Sequence, residues 1–222
     1  MRVLAIDTTT ACGSVAVVAG AAVLGEVRLT AEGGHSRRVV PAVEFLLGSL
    51  DLAPRDLEGY AVTVGPGSFT GLRVGISTTQ GLALASGRRC LGFSALDVLA
   101  ARIRGAAPAL VAMMNAYRGE VFAALYDAEA RPCGPPVVSA PEVFIERLPP
   151  RAAFLGEGAE LYRSRILSLR PEAIFPERSR FLAGTLGLVA EPRLAAGEGS
   201  RPDELRPLYL REAEIRKPAP RA

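Results

Sequence analysis

Residues 1–30, MRVLAIDTTTACGSVAVVAGAAVLGEVRLT, decide the fold. Three apolar runs, about 2–7, 14–19 and 23–29, are separated by short segments holding Thr8, Thr9 and Thr10, then Cys12 and Gly13, then Gly20 and Ala21. Apolar runs of strand length punctuated by turn residues predict an antiparallel meander. Downstream the period changes. In SRRVVPAVEFLLGSL, about 36–50, Val39, Val43, Leu46, Leu47 and Leu50 recur at helical spacing, and Pro41 sits near the first turn, where it costs little. LEGYAVTVG, about 57–65, predicts a buried strand, GPGSFTG a tight loop, and RVGISTTQGLALASG, about 73–87, a helix rich in small residues. Residues 91–93 make a short strand, and Ser94 caps a third helix over SALDVLAARIR. The order β-β-β-α-β-α-β-α predicts an α/β layering, a mixed sheet with helices on its faces.

That order is the order of an RNase-H-like lobe. RGAAP, 104–108, marks a boundary between residues 1–104 and 105–222. The second segment starts in the same way. ALVAMMNAYRG, EVFAALYD and PCGPPVV predict three strands, Ala140-Pro141-Glu142 opens a short helix, and AAFLGEG gives a strand and turn. AELYRSRILSLR and RSRFLAGTLGLVAEPRLAAG predict two further helices. The tail, RPDELRPLYLREAEIRKPAPRA, carries Pro202 and Pro207 and is expected to be extended, its last six residues frayed.

At 49% hydrophobic and 22% charged, the 222-residue chain has globular composition, which excludes disordered and fibrous classes. No apolar window is long enough to span a membrane, and the opening run ends in Asp7 rather than a cleavage site, so a cytoplasmic protein is expected. Cys12, Cys90 and Cys133 are odd in number, distant and without a CxxC pair, which predicts small buried hydrophobes rather than zinc ligands or a disulfide. His35 is the single histidine, and Val39 stands four residues on, so no HxxxH metal pair exists. A net charge of +3 is too small to indicate nucleic-acid binding by itself.

Three segments carry candidate chemistry. Asp7 with Thr8, Thr9 and Thr10 closes the first strand, where a carboxylate and hydroxyls suit magnesium and phosphate, or equally cap their own turn. GPGSFTGLR, 65–73, joins strand to helix, but lacks the lysine of a P-loop and the third glycine of a dinucleotide fingerprint. Its glycines fit close packing better: Gly71, Gly75 and Thr79 are four apart on one helix face, a flat stripe open to a second helix. Asn115 stands at the corner of NAYRGEV, a place where a carboxylate would be needed for base chemistry. With one histidine and no GxSxG frame around Ser68, a hydrolytic triad is excluded.

These segments together resemble the TsaB (YeaZ) family. LAIDTTTACGSVAV, HSRRVVPAVEFLL, AVTVGPGSFTGLRVGISTTQGLA, NAYRGEVFAALY and PLYLREAE follow the family's order along nearly the whole chain. The resemblance implies an actin-like (ASKHA) fold of two RNase-H-like lobes. It implies a non-catalytic subunit supporting transfer of threonylcarbamoyl to adenosine 37 of tRNA, paired with a TsaD-like catalytic paralogue and a TsaE-like ATPase, and a homodimer when alone. ATP and a metal would belong to those partners, with no cofactor in this chain. The partner surface implied is the pair of N-lobe helices, with Val39, Val43, Leu46 and Leu47 on the first and Gly71, Gly75, Thr78, Thr79 and Leu82 on the second. Asp7, Thr8, Thr9, Thr10 and Asn115 would mark a vestigial nucleotide site. The second reading is an actin-like ATPase or small-molecule kinase using Asp7 and the threonine turn. Many relatives carry Asp where this chain has Asn115, which weakens that second reading.

Overall fold

A computed structural model describes residues 1–30 and 34–211. The first sheet is built by β1 (Val3–Asp7), β2 (Cys12–Ala19), β3 (Ala22–Thr30), β4 (Gly59–Gly65) and β5 (Cys90–Ser94), in the spatial order β3-β2-β1-β4-β5. The meander β1–β2–β3 is antiparallel as expected, and β4 and β5 join in parallel. Gly20 and Ala21, with φ of 59° and 60°, close the tight turn between β2 and β3. The second sheet holds β6 (Ala109–Tyr117), β7 (Glu120–Asp127), β8 (Val137–Ser139) and β9 (Ala153–Leu155), in the order β8-β7-β6-β9.

The central strands are apolar on both faces because both faces are covered. In β1, Val3 and Ala5 point to one cluster while Leu4 and Ile6 point to another. The outer face of the first sheet carries α1 (Val39–Ser49) and α2 (Phe69–Ser86), whose Val39, Val43, Leu46, Leu47 and Ile76 are buried beneath them. Each such large side chain removed from water contributes about 1.5–3 kcal/mol. The inner face meets α3 (Ala95–Arg102) and α7 (Ala183–Ala195), which also touch Leu110, Ala112, Met114, Ala124 and Tyr126 of the second sheet. A single core therefore runs through both sheets. The far face of the second sheet is closed by α4 (Pro141–Ile145), α5 (Glu157–Leu161) and α6 (Arg163–Leu169) around Phe154 and Ile166.

Several expectations shift. The helix expected at 73–87 begins at Phe69, because Ser68 accepts the Gly71 amide at 3.3 Å and caps it there. The helix expected over 159–170 breaks at Tyr162, whose φ of −103° and ψ of 16° leave the helical basin between α5 and α6. Ser94 caps α3 through the Leu96 amide at 3.2 Å, and Pro141 occupies the first turn of α4, both as read from sequence. Cys90 alone of the three cysteines is buried; Cys12 is half-buried and Cys133 exposed, so the expectation of three core thiols is corrected. The segment after residue 105 does not keep to its own sheet. α7 returns to the first sheet, and its Glu191 accepts the amides of Gly20 and Ala21 at 2.7 and 2.9 Å. No helix among the described residues is long and apolar enough to cross a membrane. The last six residues lie outside the described residues.

Candidate functional site

The C-terminal ends of β1 and β4, the start of α2 and the β6–β7 hairpin surround a cleft of about 590 Å³. Thr9, Thr10, Ser68, Asn115, Tyr117 and Arg211 are among its walls. Thr10 and Glu157 also border a smaller cavity of about 190 Å³, floored by Leu99, Met114, Leu155 and Leu182.

Asp7 sits beneath this region, 1% exposed. One of its oxygens accepts from the Thr9 amide at 3.2 Å, the Thr9 hydroxyl at 2.8 Å and the Thr63 hydroxyl at 2.6 Å. The other oxygen is buried and has no partner among the described residues. Burial pushes the Asp7 carboxyl above its ordinary value, against the pull of the Thr63 and Thr9 hydrogen bonds and of nearby His35. Glu157 is likewise raised by burial, with the Asn115 amide and Arg180 pulling down and the charge of Asp7 pushing up. The charge of buried Asp7 is thus felt at Glu157, which borders the cleft.

The threonine turn is closed on itself. The Thr8 hydroxyl donates to the Gly71 carbonyl at 2.8 Å, the Thr9 carbonyl accepts the Ser68 amide at 2.7 Å, and the Thr10 hydroxyl accepts the Cys12 amide at 3.1 Å. Gly71 and Gly75 explain the close approach of α2. A methyl group on Gly71 would overlap the Thr8 carbonyl, and one on Gly75 would overlap the Thr8 hydroxyl. The small-residue stripe is thus a seat for the chain's own β1 turn. The expectation that it awaits another helix is corrected.

His35 precedes α1, and its carbonyl accepts the amides of Arg38 and Val39 at 2.9 and 3.1 Å. Its Nε2 lies 2.6 Å from the Thr10 carbonyl; since a carbonyl only accepts, Nε2 carries the proton. The ring lies over Gly13, where a Cβ would come within 2.5 Å of Cε1. The side chain therefore pins α1 to the β1–β2 turn. Among the described residues no group of three metal-ligating side chains converges.

Asn115 accepts the Tyr117 amide at 2.9 Å through its own side chain, which folds the corner of the hairpin. Glu120, on the same hairpin, pairs with Arg211. The structure thus brings Asp7, the threonine turn and Asn115 around one region, together with Thr63, Glu157 and Arg211, which sequence reading missed. Glu157 carried one visible signal, its place in the GEG turn after a short apolar run.

The nine residues expected on a partner surface fare differently. Val39, Val43, Leu46, Leu47, Gly71, Gly75 and Thr79 are buried inside this chain, so they cannot meet another. Thr78 and Leu82 are half-buried. The outward faces of the same two helices instead carry Val40, Phe45 and Leu84, with Phe45 68% and Leu84 74% exposed. Both exposed large residues fall off the core period, a signal present in the sequence.

Comparison with known proteins supplies the family. Residues 26–140 match the family model described as TsaD, tRNA N6-adenosine threonylcarbamoyltransferase. The tRNA threonylcarbamoyladenosine biosynthesis protein TsaB of Bacillus subtilis is 36% identical over 126 residues, 57% of this chain and 55% of that one. Its Escherichia coli counterpart is 37% identical over 131 residues, 58% of this chain and 56% of that one. The chain thus spans little more than half the length of these curated relatives. YeaZ from Pseudomonas aeruginosa superposes with a TM-score of 0.77 at 30% identity, covering 94% of this chain and 99% of that one. The activator of 2-hydroxyisocaproyl-CoA dehydratase from Clostridium difficile superposes with a TM-score of 0.56 at 10% identity, covering 94% of this chain and all of that one, which shows the fold alone. Two mixed sheets flanked by helices, layered as in these actin-like proteins, and a match of this extent to a solved YeaZ lead to one conclusion: the chain belongs to the TsaB (YeaZ) family.

Proposed function

We propose that this chain is a non-catalytic subunit in the biosynthesis of threonylcarbamoyladenosine in tRNA, pairing with a TsaD-like paralogue through the outward faces of α1 and α2. The observation that carries the reading is the exposure of Val40, Phe45 and Leu84 on two adjoining helices of a TsaB-family chain. Large apolar residues left exposed on adjoining helices suit a protein contact. The cleft supports the non-catalytic part. The hydroxyls of Thr8 and Thr9 donate within the chain, and the Thr9 and Ser68 amides have partners in Asp7 and Thr9. In this reading ATP and metal are handled by TsaD-like and TsaE-like partners, in the cytoplasm where the tRNA is modified.

The test is transfer of threonylcarbamoyl to tRNA by the TsaD-like and TsaE-like partners, with this chain, without it, and with the double variant Phe45→Asp and Leu84→Asp. The reading expects transfer to need the chain, and the double variant to lose both co-elution with the TsaD-like protein and transfer while melting like the parent. Homodimerisation of the chain alone would fall with the same variant. Magnesium-dependent ATP turnover by the chain alone, abolished by Asp7→Asn, would overturn the reading in favour of an actin-like ATPase or kinase.

A further inference from the structure

The same cleft is crossed by the end of the described chain. We propose that residues 200–211 act as a strap that sets the width of the cleft, with Arg211 as its latch. The strap starts on the free edge of the first sheet, where Ser200 and Cys90 exchange backbone hydrogen bonds at 3.0 and 3.2 Å. Pairing there covers an edge strand that would otherwise be open. Gln80 donates to the Pro202 carbonyl at 2.9 Å, and Leu205 is buried among the residues under α2. The Leu208 amide donates to Val64 at 2.7 Å, and its carbonyl occupies the place a side chain on Gly65 would need. Gly65 has φ 132°, a conformation that favours glycine, so the loop backbone is shaped to the strap. Tyr209 stacks on Phe69 with ring centroids 5.5 Å apart, and the Arg73 guanidinium lies 3.8 Å over the Phe69 ring.

The strap then leaves the first sheet. Arg211 donates to the Ala116 carbonyl at 3.0 Å and pairs with Glu120. Both groups belong to the β6–β7 hairpin, on the opposite wall of the cleft. The hairpin turns tightly through Arg118 and Gly119, with φ of 55° and 80°, so a pull on its base moves the wall and not a loose tip. On the other side the two sheets are joined by the shared core around α3 and α7. A packed core thus joins the sheets on one side, and across the gap the partly buried, charge-assisted contact of Arg211 fastens them. Closure by a few polar bonds opposite an apolar hinge is a geometry that opens at the bonds first.

This inference concerns the cleft alone and stands or falls apart from pairing with a TsaD-like protein. Hydrogen exchange of the full chain, followed by mass spectrometry, tests it on Arg211→Glu and on the charge-swapped pair Glu120→Arg with Arg211→Glu. The single variant should exchange at least tenfold faster in peptides covering 62–72 and 113–121, with peptides of β2 and α7 unchanged. The swapped pair should recover to within about threefold of the parent, short of it because a glutamate cannot donate to Ala116. If Arg211→Glu fails to fold, Arg211→Gln carries the same expectation at threefold or more. Unchanged exchange in the two cleft peptides would overturn the latch. So would equal acceleration in all peptides, which reports global destabilisation, or a swapped pair as fast as the single variant.

Discussion

Replacing Gly75 by alanine separates the two meanings of a small-residue stripe. If the stripe served another chain, a methyl group there would weaken pairing and leave the monomer as stable as before or better, since alanine favours a helix over glycine by about 1 kcal/mol. The structure expects the reverse. The added carbon overlaps the Thr8 hydroxyl, which is held by its bond to the Gly71 carbonyl, and lies 3.5 Å from the Val62 side chain. Overpacking of a tight core costs about 1–3 kcal/mol, and moving Thr8 off the Gly71 carbonyl forfeits a buried hydrogen bond of about 1 kcal/mol. Set against the helix gain, the net loss is about 1–3 kcal/mol. For a chain of this length that lowers the melting temperature by roughly 2–4 °C per kcal/mol. Gly81, exposed on the same helix with open space around its Cα, is the internal control: its alanine variant should gain up to about 1 kcal/mol. Urea unfolding with a common slope gives both numbers. A Gly75→Ala protein as stable as the Gly81→Ala protein would refute the reasoning.

Two further outcomes follow from the interior. Asp7→Asn should be at least as stable as the parent at neutral pH. The folded carboxyl titrates above its unfolded value of 3.8, so the parent loses stability as pH rises from there through the folded value. The advantage of the asparagine variant should therefore shrink on acidification towards pH 3.8 and below, and an advantage that grows in acid would contradict the assignment. Tyr126→Phe removes the hydroxyl that donates to Asp97 at 2.7 Å between β7 and α3, and should cost about 0.5–1.5 kcal/mol by urea unfolding. No loss would mean that Asp97 is satisfied by water.

The succession of strands and helices along the chain was legible because both follow period. Val39, Val43, Leu46 and Leu47 point inward for the same reason they were noticed, so the residues most visible as an apolar stripe were the least available to a partner. Phe45 and Leu84 were just as visible as large apolar side chains off that period, but a single exposed residue has meaning only once its neighbour on the next helix is known. The role of Gly71 and Gly75 was half legible: four-residue spacing gives a flat face, whereas the identity of what lies on it, Thr8 from 60-odd residues earlier, is a matter of long-range approach. Thr63, Glu157 and Arg211 come to the cleft from separate elements, and no local pattern links them. The break at Tyr162 had no proline or glycine to announce it.

The placement of α7 has a consequence for synthesis. The inner face of the first sheet, with Val3, Ala5, Ala16 and Val18, is covered by residues made some 170–190 positions later. At roughly 5–20 residues per second, a ribosome needs about 10 to 40 s to reach them. For that interval the nascent meander has its outer helices but an open apolar face, on strands of high β-propensity. The first strand to emerge is among the last to be sealed, and the chain's exposure to holdases and to mispairing is set by the timing of α7 rather than by the final stability of the sheet.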